Sequence, residues 1–240
     1  MTLWEKSPSS METLTFDIET IPQTSSYSDV QQKELDKRVV RHMSVKNLTT
    51  KEDKIKTESM IAATNPFLGE IVCIGLMRTN MKGQYDTLSL IGNEDDILKR
   101  FWEILGKFTG LFITYNGLNF DIPYILKRSM IHKLVPTNPS FLDTRRFSKY
   151  PHFDVQQIAA DFNYMNYISL EFLCESLGIQ SPKEGEVKAE NVAQAFKDGK
   201  IDEIAKYCIR DVEATYKSYS VIKNYTHKPF IRKPFNQKKK

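Results

Sequence analysis

TLTFDIE, residues 13–19, is the stretch on which the prediction of the fold depends. Its β-branched and aromatic residues follow a polar leader, which predicts a short strand at 13–18. Because alternate residues of a strand point to the same face, Asp17 and Glu19 place two carboxylates side by side while Ile18 points into the core. Two carboxylates held so close stay ionised together only when a cation lies between them. Taken alone, the pair has an ordinary alternative, which is a solvated turn at the end of a strand.

The segments after this strand predict an α/β domain. Short apolar, β-branched runs predict four further strands, the first two forming a hairpin: IVCIGLM (71–77), YDTLSLI (85–91), LFITY (111–115) and FLDTRRF (141–147). Apolar residues at helical spacing predict helices at 94–108, 121–132, 169–178, 189–197 and 201–219. This order of elements predicts a mixed five-stranded sheet flanked by helices.

Two segments lie outside that pattern. Residues 24–64 are polar and charged with few apolar positions, which predicts one or two exposed helices inserted after the first strand, because so thin an apolar content cannot form a second core. Residues 221–240 carry seven basic residues and no acid, so the remaining 27 basic residues face 30 acidic ones and the body is slightly acidic. We therefore predict one domain over 1–220 and a flexible basic tail over 221–240. The tail either binds a polyanionic partner or is simply a solvated end, and the sequence leaves both alternatives open.

Composition also excludes several classes of protein. No apolar run is long enough to span a membrane, and the start MTLWEKSPSSMETLTFD lacks the basic and apolar regions of a signal peptide. We therefore expect a cytoplasmic protein with no membrane partner. The three cysteines, Cys73, Cys174 and Cys208, are odd in number and far apart, which favours buried thiols over a disulfide framework or a zinc site.

Two later segments add acidic residues to the first pair. Asp121 follows the strand LFITY through the loop NGLN, at the strand edge where α/β sheets bind ligands, although a helix-capping acid is the alternative. Tyr207 and Asp211 lie four residues apart on the last helix and so share one face. Their ordinary alternatives are a core aromatic residue and a surface ion pair.

The order of these motifs, D-x-E, N-x-x-x-F-D and Y-x-x-x-D, resembles the DnaQ-like 3′–5′ exonucleases of the tyrosine (DEDDy) branch. The stretches that carry the resemblance are TFDIETIP (15–22), YNGLNFDIPYI (115–125) and YCIRDVEATYKSY (207–219). SLEFLCESLGI (169–179), followed by SPK, is similar to stand-alone exonucleases related to the family B DNA polymerase proofreading domain. The resemblance implies a ribonuclease H-like fold and the 3′–5′ direction of cleavage.

The resemblance also implies a metal site with two Mg²⁺ or Mn²⁺ ions. Asp17 would bridge both ions, Glu19 and Asp211 would complete the tighter site, and Asp121 would hold the looser one. Independently of the family, four carboxylates without nearby His or Cys suit magnesium or manganese better than zinc. Two such ions can activate a water and stabilise the leaving oxygen of a phosphodiester.

Four further residues receive roles by the same resemblance. Tyr207 would orient the attacking water, because tyrosine with a usual pKa near 10 is a poor general base at neutral pH. Asn116 and Phe120 would lie beside the terminal nucleotide. Asp143, on the predicted fifth strand, is similar to an aspartate of relatives, and we expect it to support the site and not to bind the metal.

The predicted function is a two-metal-ion 3′–5′ exonuclease that releases nucleoside monophosphates from single-stranded or frayed DNA ends. No polymerase-sized segment follows the domain, so a separate polymerase or a replication or repair protein is an expected partner. An RNA 3′-end trimming enzyme similar to ribonuclease D is the alternative. A non-catalytic nucleic-acid-binding module is a second alternative, disfavoured because no carboxylate is missing. We also expect residues 24–64 to form an arm that guides single-stranded ends, against the alternative of an exposed elaboration.

Overall fold

A mixed five-stranded sheet forms the centre of the computed structural model, which describes residues 2–5, 12–180 and 186–226. In chain order the strands are β1 (Thr13–Pro22), β2 (Gly69–Thr79), β3 (Tyr85–Ile91), β4 (Leu111–Thr114) and β5 (His152–Asp154). They lie in the order β3-β2-β1-β4-β5. The β1–β2 and β2–β3 pairs are antiparallel, and the β1–β4 and β4–β5 pairs are parallel. The predicted mixed α/β sheet is confirmed.

Helices cover both faces of the sheet. They are α1 (Asp29–Lys46), α2 (Lys51–Ala63), α3 (Glu94–Leu105), α4 (Asp121–Ile131), α5 (Val155–Ala159), α6 (Leu170–Ser176), α7 (Val192–Lys197) and α8 (Ile201–Ile222). On one face, Phe16 and Ile18 of β1 pack with α3 and α4 in the largest apolar cluster. On the other face, Cys73 of β2 packs with α7 and α8. Because side chains alternate along β1, Asp17 and Glu19 point toward the second face, away from Ile18.

The inserted segment forms a helical hairpin. Ser28 and Thr50 begin α1 and α2 with capping boxes, in which the cap and the third helical residue satisfy each other's backbone N–H groups. A small apolar cluster of Leu35, Val39, Ala62 and Leu68 fixes the hairpin to the body. The predicted exposed helical insertion is confirmed.

The prediction of a fifth strand at 141–147 is wrong. Phe141 is buried, but Leu142 and Phe147 are exposed, so this segment presents no continuous apolar face to the sheet. Its backbone forms turns, in which Phe141 N–H donates to Asn138 O at 3.2 Å. The fifth strand is instead the three-residue β5, which is too short to produce a recognisable alternation of apolar and polar residues.

The end of the chain agrees with the sequence only in part. Helix α8 continues through Ile222 and therefore includes the first two residues of the predicted tail. Residues 227–240 lie outside the described residues, so the flexibility of the tail stays a prediction, as does the single domain over 1–220. Within the described part of the chain, no helix combines the length and apolar character needed to cross a bilayer.

Candidate active site

The first two carboxylates of the site lie on one face of β1, as the strand geometry predicts. Asp17 pairs with Gly75 of β2 and Glu19 pairs with Cys73, after which the register shifts between Glu19 and Thr20. Irregularities of this kind commonly redirect side chains beside active sites. The Glu19 side chain is almost fully buried, at 7% exposure. The solvated-turn alternative is therefore excluded for Glu19.

Asp121 is tied to β1 directly. Strand β4 pairs with β1 only as far as Thr15, and beyond that point the Asp121 carboxylate accepts the Ile18 N–H at 3.1 Å. Phe120 occupies the cap position of α4 and makes no side-chain capping bond. Asp121 is 2% exposed. Its carboxylate therefore connects the start of α4 to β1, which is more than a helix-capping role requires.

Helix α8 lies directly against β2 because position 75 has no side chain. A Cβ atom on Gly75 would lie 2.8 Å from Cys208 Sγ and 3.2 Å from Val212 Cγ2. This close approach places Tyr207 and Asp211, one helical turn apart, on the same side as the β1 carboxylates. The Tyr207 side chain is buried and forms a hydrogen bond with Asp211.

The electrostatics show that the predicted residues converge. Burial is the main cause that raises the pKa of Asp17, followed by repulsion from Asp121, Glu19 and Asp211. Burial, and then repulsion from Asp211, also raise the pKa of Glu19. Burial raises the pKa of Asp121 to about 7, although its backbone hydrogen bonds act in the opposite direction. The pKa of Tyr207 is raised by burial and then by Asp211.

The effects on the carboxylate pKa values are those expected at a site that binds a cation. The leading effects on the pKa values of Asp17 and Glu19 all disfavour ionisation, and none comes from a basic side chain. Buried carboxylates that repel one another without a basic partner ionise together when a cation binds between them. Carboxylate oxygens are the ligands that Mg²⁺ and Mn²⁺ prefer. The residues present therefore fit a hard divalent cation.

Two buried thiols lie beside the carboxylates, so the expectation that no cysteine is near them is wrong. Cys208 Sγ is within 4.8 Å of carboxylate oxygens of Asp17 and Glu19, and it contacts the Asp17 backbone oxygen at 3.5 Å. Burial raises the pKa of Cys208, so the thiol stays neutral and donates to Asp17, whereas a soft metal would need the thiolate. Cys73 lies opposite Glu19 in the β1–β2 register. The sequence could have predicted the position of Cys208, because it lies three residues before Asp211 on the same helix and therefore on a neighbouring part of its surface.

The loop between β4 and α4 is organised by Asp154 of β5, a residue that sequence reasoning did not identify. The Asp154 carboxylate accepts the Asn116 N–H and the Leu118 N–H, each at 3.0 Å. Asn116 has a positive φ of 62°, and a Cβ atom on Gly117 would lie 2.4 Å from the Thr114 side chain. The loop therefore needs Gly117 for the close approach and Asp154 for its backbone hydrogen bonds.

Asn116 and Phe120 lie on the same loop as Asp121, but each also has a structural role. The Asn116 side-chain oxygen accepts a hydrogen bond from Asn119 Nδ2 at 2.9 Å. Phe120 is half-buried against the main core, with its ring centroid 5.5 Å from that of Tyr124. Contact of these two residues with a nucleotide stays a prediction.

The expectation for Asp143 is wrong. It lies on the surface in a two-point ion pair with Arg145, with both N–O distances at 2.7 Å. Strand β5 carries a different aspartate, Asp154, whose carboxylate accepts backbone N–H groups of the loop before α4. The error follows from placing the fifth strand at 141–147, which put the wrong acid on the sheet.

Comparison with known proteins identifies the family. A family described as predicted 3′–5′ exonucleases related to the exonuclease domain of PolB matches residues 65–228. The chain belongs to this family. The match contains Asp121, Tyr207 and Asp211, and it begins after the first carboxylate pair and after the helical hairpin. The resemblance inferred from the three motifs is thus confirmed, and the chain is an exonuclease domain of the PolB-related type.

DNA polymerases are among the sequence relatives of this exonuclease domain. It is 29% identical over 144 residues to a DNA polymerase of Pyrococcus glycovorans, covering 54% of this chain and 18% of the polymerase. It is 30% identical over 147 residues to a DNA polymerase of Thermococcus gorgonarius, with the same two coverages. The matched segment therefore spans less than a fifth of these relatives.

A solved structure shares the fold. The family B DNA polymerase of Pyrobaculum calidifontis superposes with a TM-score of 0.58 at 16% sequence identity, covering 91% of this chain and 25% of the polymerase. The predicted ribonuclease H-like fold is thereby confirmed.

Proposed function

We propose that this exonuclease domain uses two divalent cations to remove nucleoside monophosphates from the 3′ ends of DNA. The observation that carries the proposal is the convergence of four acidic side chains, Asp17, Glu19, Asp121 and Asp211, without a basic partner among the leading influences on the β1 pair. The 3′–5′ direction rests on membership of the family. All four carboxylates are present, which argues against a module that kept the fold and lost catalysis.

Mg²⁺ or Mn²⁺ bound to these carboxylates would lower the pKa of a water and offset the charge of the phosphodiester. The protein's own contribution is to hold the carboxylates at fixed positions. The Asp121–Ile18 hydrogen bond at 3.1 Å sets one of them, and the close packing of α8 on Gly75 sets Asp211. Sites fixed in this way need little reorganisation when the substrate binds.

Tyr207 is proposed as a positioning residue for the attacking water. Its raised pKa means that the hydroxyl keeps its proton at neutral pH, so it orients the water by hydrogen bonding and does not remove a proton. Its hydrogen bond with Asp211 links this role to the carboxylate cluster.

The loop that precedes α4 is proposed to bind the 3′-terminal nucleotide of the substrate. Asn116 and Phe120 are proposed to contact the terminal nucleotide, since both lie within five residues of Asp121. DNA is preferred over RNA because the sequence relatives are DNA polymerases. A separate polymerase or repair protein is the proposed partner, because excision from a 3′ end complements synthesis at that end.

The test uses 5′-labelled single-stranded DNA, mismatched duplex DNA and RNA, each with Mg²⁺ and with EDTA. Asp17→Ala removes a proposed ligand, and Asp143→Ala is the matched control because that carboxylate is partly exposed and pairs with Arg145 at 2.7 Å. We expect DNA ladders that shorten from the 3′ end for the wild type and for Asp143→Ala, and no cleavage with EDTA or with Asp17→Ala. Faster shortening of RNA than of DNA would identify the trimming alternative, and failure to cleave any of the three would refute the nuclease.

A further inference from the structure

A groove of about 650 Å³ lies between the helical hairpin and α4. Basic side chains line it from both sides, with Arg38, Arg41 and His42 on α1 and Lys127 on α4. Its floor includes Phe67, whose side chain is 47% exposed. Its volume lies in the range of ligand-binding clefts.

The two walls of the groove are fixed relative to each other. Gln31 Nε2 of α1 donates to Phe67 O at 3.1 Å, and Tyr27 OH donates to Leu68 O at 2.8 Å. From α4, Tyr124 OH donates to Ala63 O at 2.9 Å and Arg128 donates to Pro66 O at 3.0 Å. The groove is therefore preformed, so little conformational entropy is lost when a ligand binds there.

The charge in the groove is only partly neutralised by ion pairs. Among the residues that line it, none is acidic. Arg38 pairs with Glu34 at 2.7 Å, whereas Arg41 and Lys127 form no ion pair within the described part of the chain. Basic side chains on both walls together with an exposed aromatic ring are the features that bind single-stranded nucleic acid, by phosphate contacts and base stacking. A purely apolar protein partner would leave these charges desolvated.

The groove and the carboxylate site share helix α4. Asp121 begins this helix and Lys127 follows six residues later, which corresponds to about 9 Å of helical rise. We propose that the groove binds the single-stranded nucleic acid a few nucleotides upstream of the 3′ end, with phosphates on Arg41 and Lys127 and a base on Phe67. The inference rests on the proposed function for the orientation of the strand. The helical hairpin thereby supplies a substrate subsite from residues that the family match does not include.

The test measures binding and turnover separately. Binding of a fluorescent 12-nucleotide single-stranded DNA is followed by anisotropy in EDTA over a range of salt concentrations. Arg41→Ala/Lys127→Ala is compared with Lys37→Ala/Lys54→Ala, which removes two exposed lysines that do not line the groove. Turnover of a dinucleotide and of the 12-mer is then measured with Mn²⁺.

We expect the groove variant to bind the 12-mer about tenfold more weakly, with a log–log salt slope smaller by about 1.4, because two phosphate contacts are lost at about 0.7 per contact on a single strand. Its turnover of the dinucleotide should stay unchanged while its KM for the 12-mer rises. Phe67→Ala should weaken binding without changing the salt slope. Equal affinity and equal salt slope for the two double variants would overturn the proposal. Tight binding by the wild type without cleavage of any substrate would instead refute the proposed nuclease and leave the groove intact as a binding site.

Discussion

Replacing Asp121 with asparagine is expected to stabilise the metal-free protein while abolishing its nuclease activity. The asparagine side chain keeps an oxygen that can accept the Ile18 N–H, now made at 3.1 Å, and removes only the buried negative charge. Since Asp121 is 2% exposed, that charge has little access to water. The substitution therefore separates the packing role of this residue from its proposed role as a metal ligand.

The magnitude follows from the pKa of Asp121, which burial raises from 3.8 to about 7. A difference of that size corresponds to about 4 kcal/mol at about 1.36 kcal/mol per pKa unit. Coupling to the other carboxylates and local relaxation reduce it, and we expect about 1–3 kcal/mol, or roughly 3–10 °C in Tm. The folded pKa of Asp121 lies above the unfolded one. Below pH 4 the carboxyl is protonated in both states and its burial carries no electrostatic cost, whereas the wild type loses stability as the pH rises through 7.

The assay is thermal unfolding in EDTA from pH 4 to pH 8, repeated with excess Mn²⁺. The Tm advantage of Asp121→Asn should be largest at pH 8 and should shrink toward pH 4. Added Mn²⁺ should raise the Tm of the wild type more than that of the variant, because a ligand that binds only the folded state stabilises it. If Asp121→Asn unfolds below the wild type at pH 8 in EDTA, the buried carboxylate does not carry the assigned electrostatic cost.

Three further substitutions test the packing around the site. Gly75→Ala should displace α8, which should destabilise the protein by about 1–3 kcal/mol and sharply lower its activity. Adding Cys208→Ala should restore part of the stability and part of the activity. Denaturant unfolding and turnover assays measure the two effects. Tyr207→Phe should lower kcat and leave the Mn²⁺-induced rise in Tm unchanged, and loss of that rise would make Tyr207 a metal-site residue. Glu94→Ala should lower the free energy of unfolding by about 3–5 kcal/mol, because Arg128, whose Nε lies 2.8 Å from Glu94, is left buried without its partner. The folded fraction should keep its specific activity, and denaturant unfolding together with a turnover assay measures both.

Much of the sheet could be predicted because its longer strands are β-branched and apolar. The β3 strand has the predicted bounds, and α8 begins where the helical spacing places it. Strand β5 could not be predicted from the sequence because three buried residues show no alternation of apolar and polar positions. The consequence for the site was specific: Asp143 received the supporting role that Asp154 performs.

Asp17 and Glu19 were predictable because strand spacing places them on one face, and Asp211 was predictable because it shares a helix face with Tyr207. Their surroundings were not, since they depend on pairing between distant segments. The β1–β2 register places Cys73 opposite Glu19, and the absence of a side chain on Gly75 brings Cys208 close to Asp17. Neither contact has a local signature, because a glycine in a strand does not reveal which helix will cover it.

The helical hairpin leaves and rejoins the sheet at a single place. Pro22 pairs with Gly69, and Gln23 N–H donates to Leu68 O at 3.0 Å, so the backbone closes at the base of the hairpin. A segment closed in this way can change in length or be exchanged for another without altering the register of β1 and β2, since loop-closure entropy grows slowly with length. The position after β1 is therefore a place where the chain can be lengthened or replaced while the positions of Asp17 and Glu19 on β1 are kept.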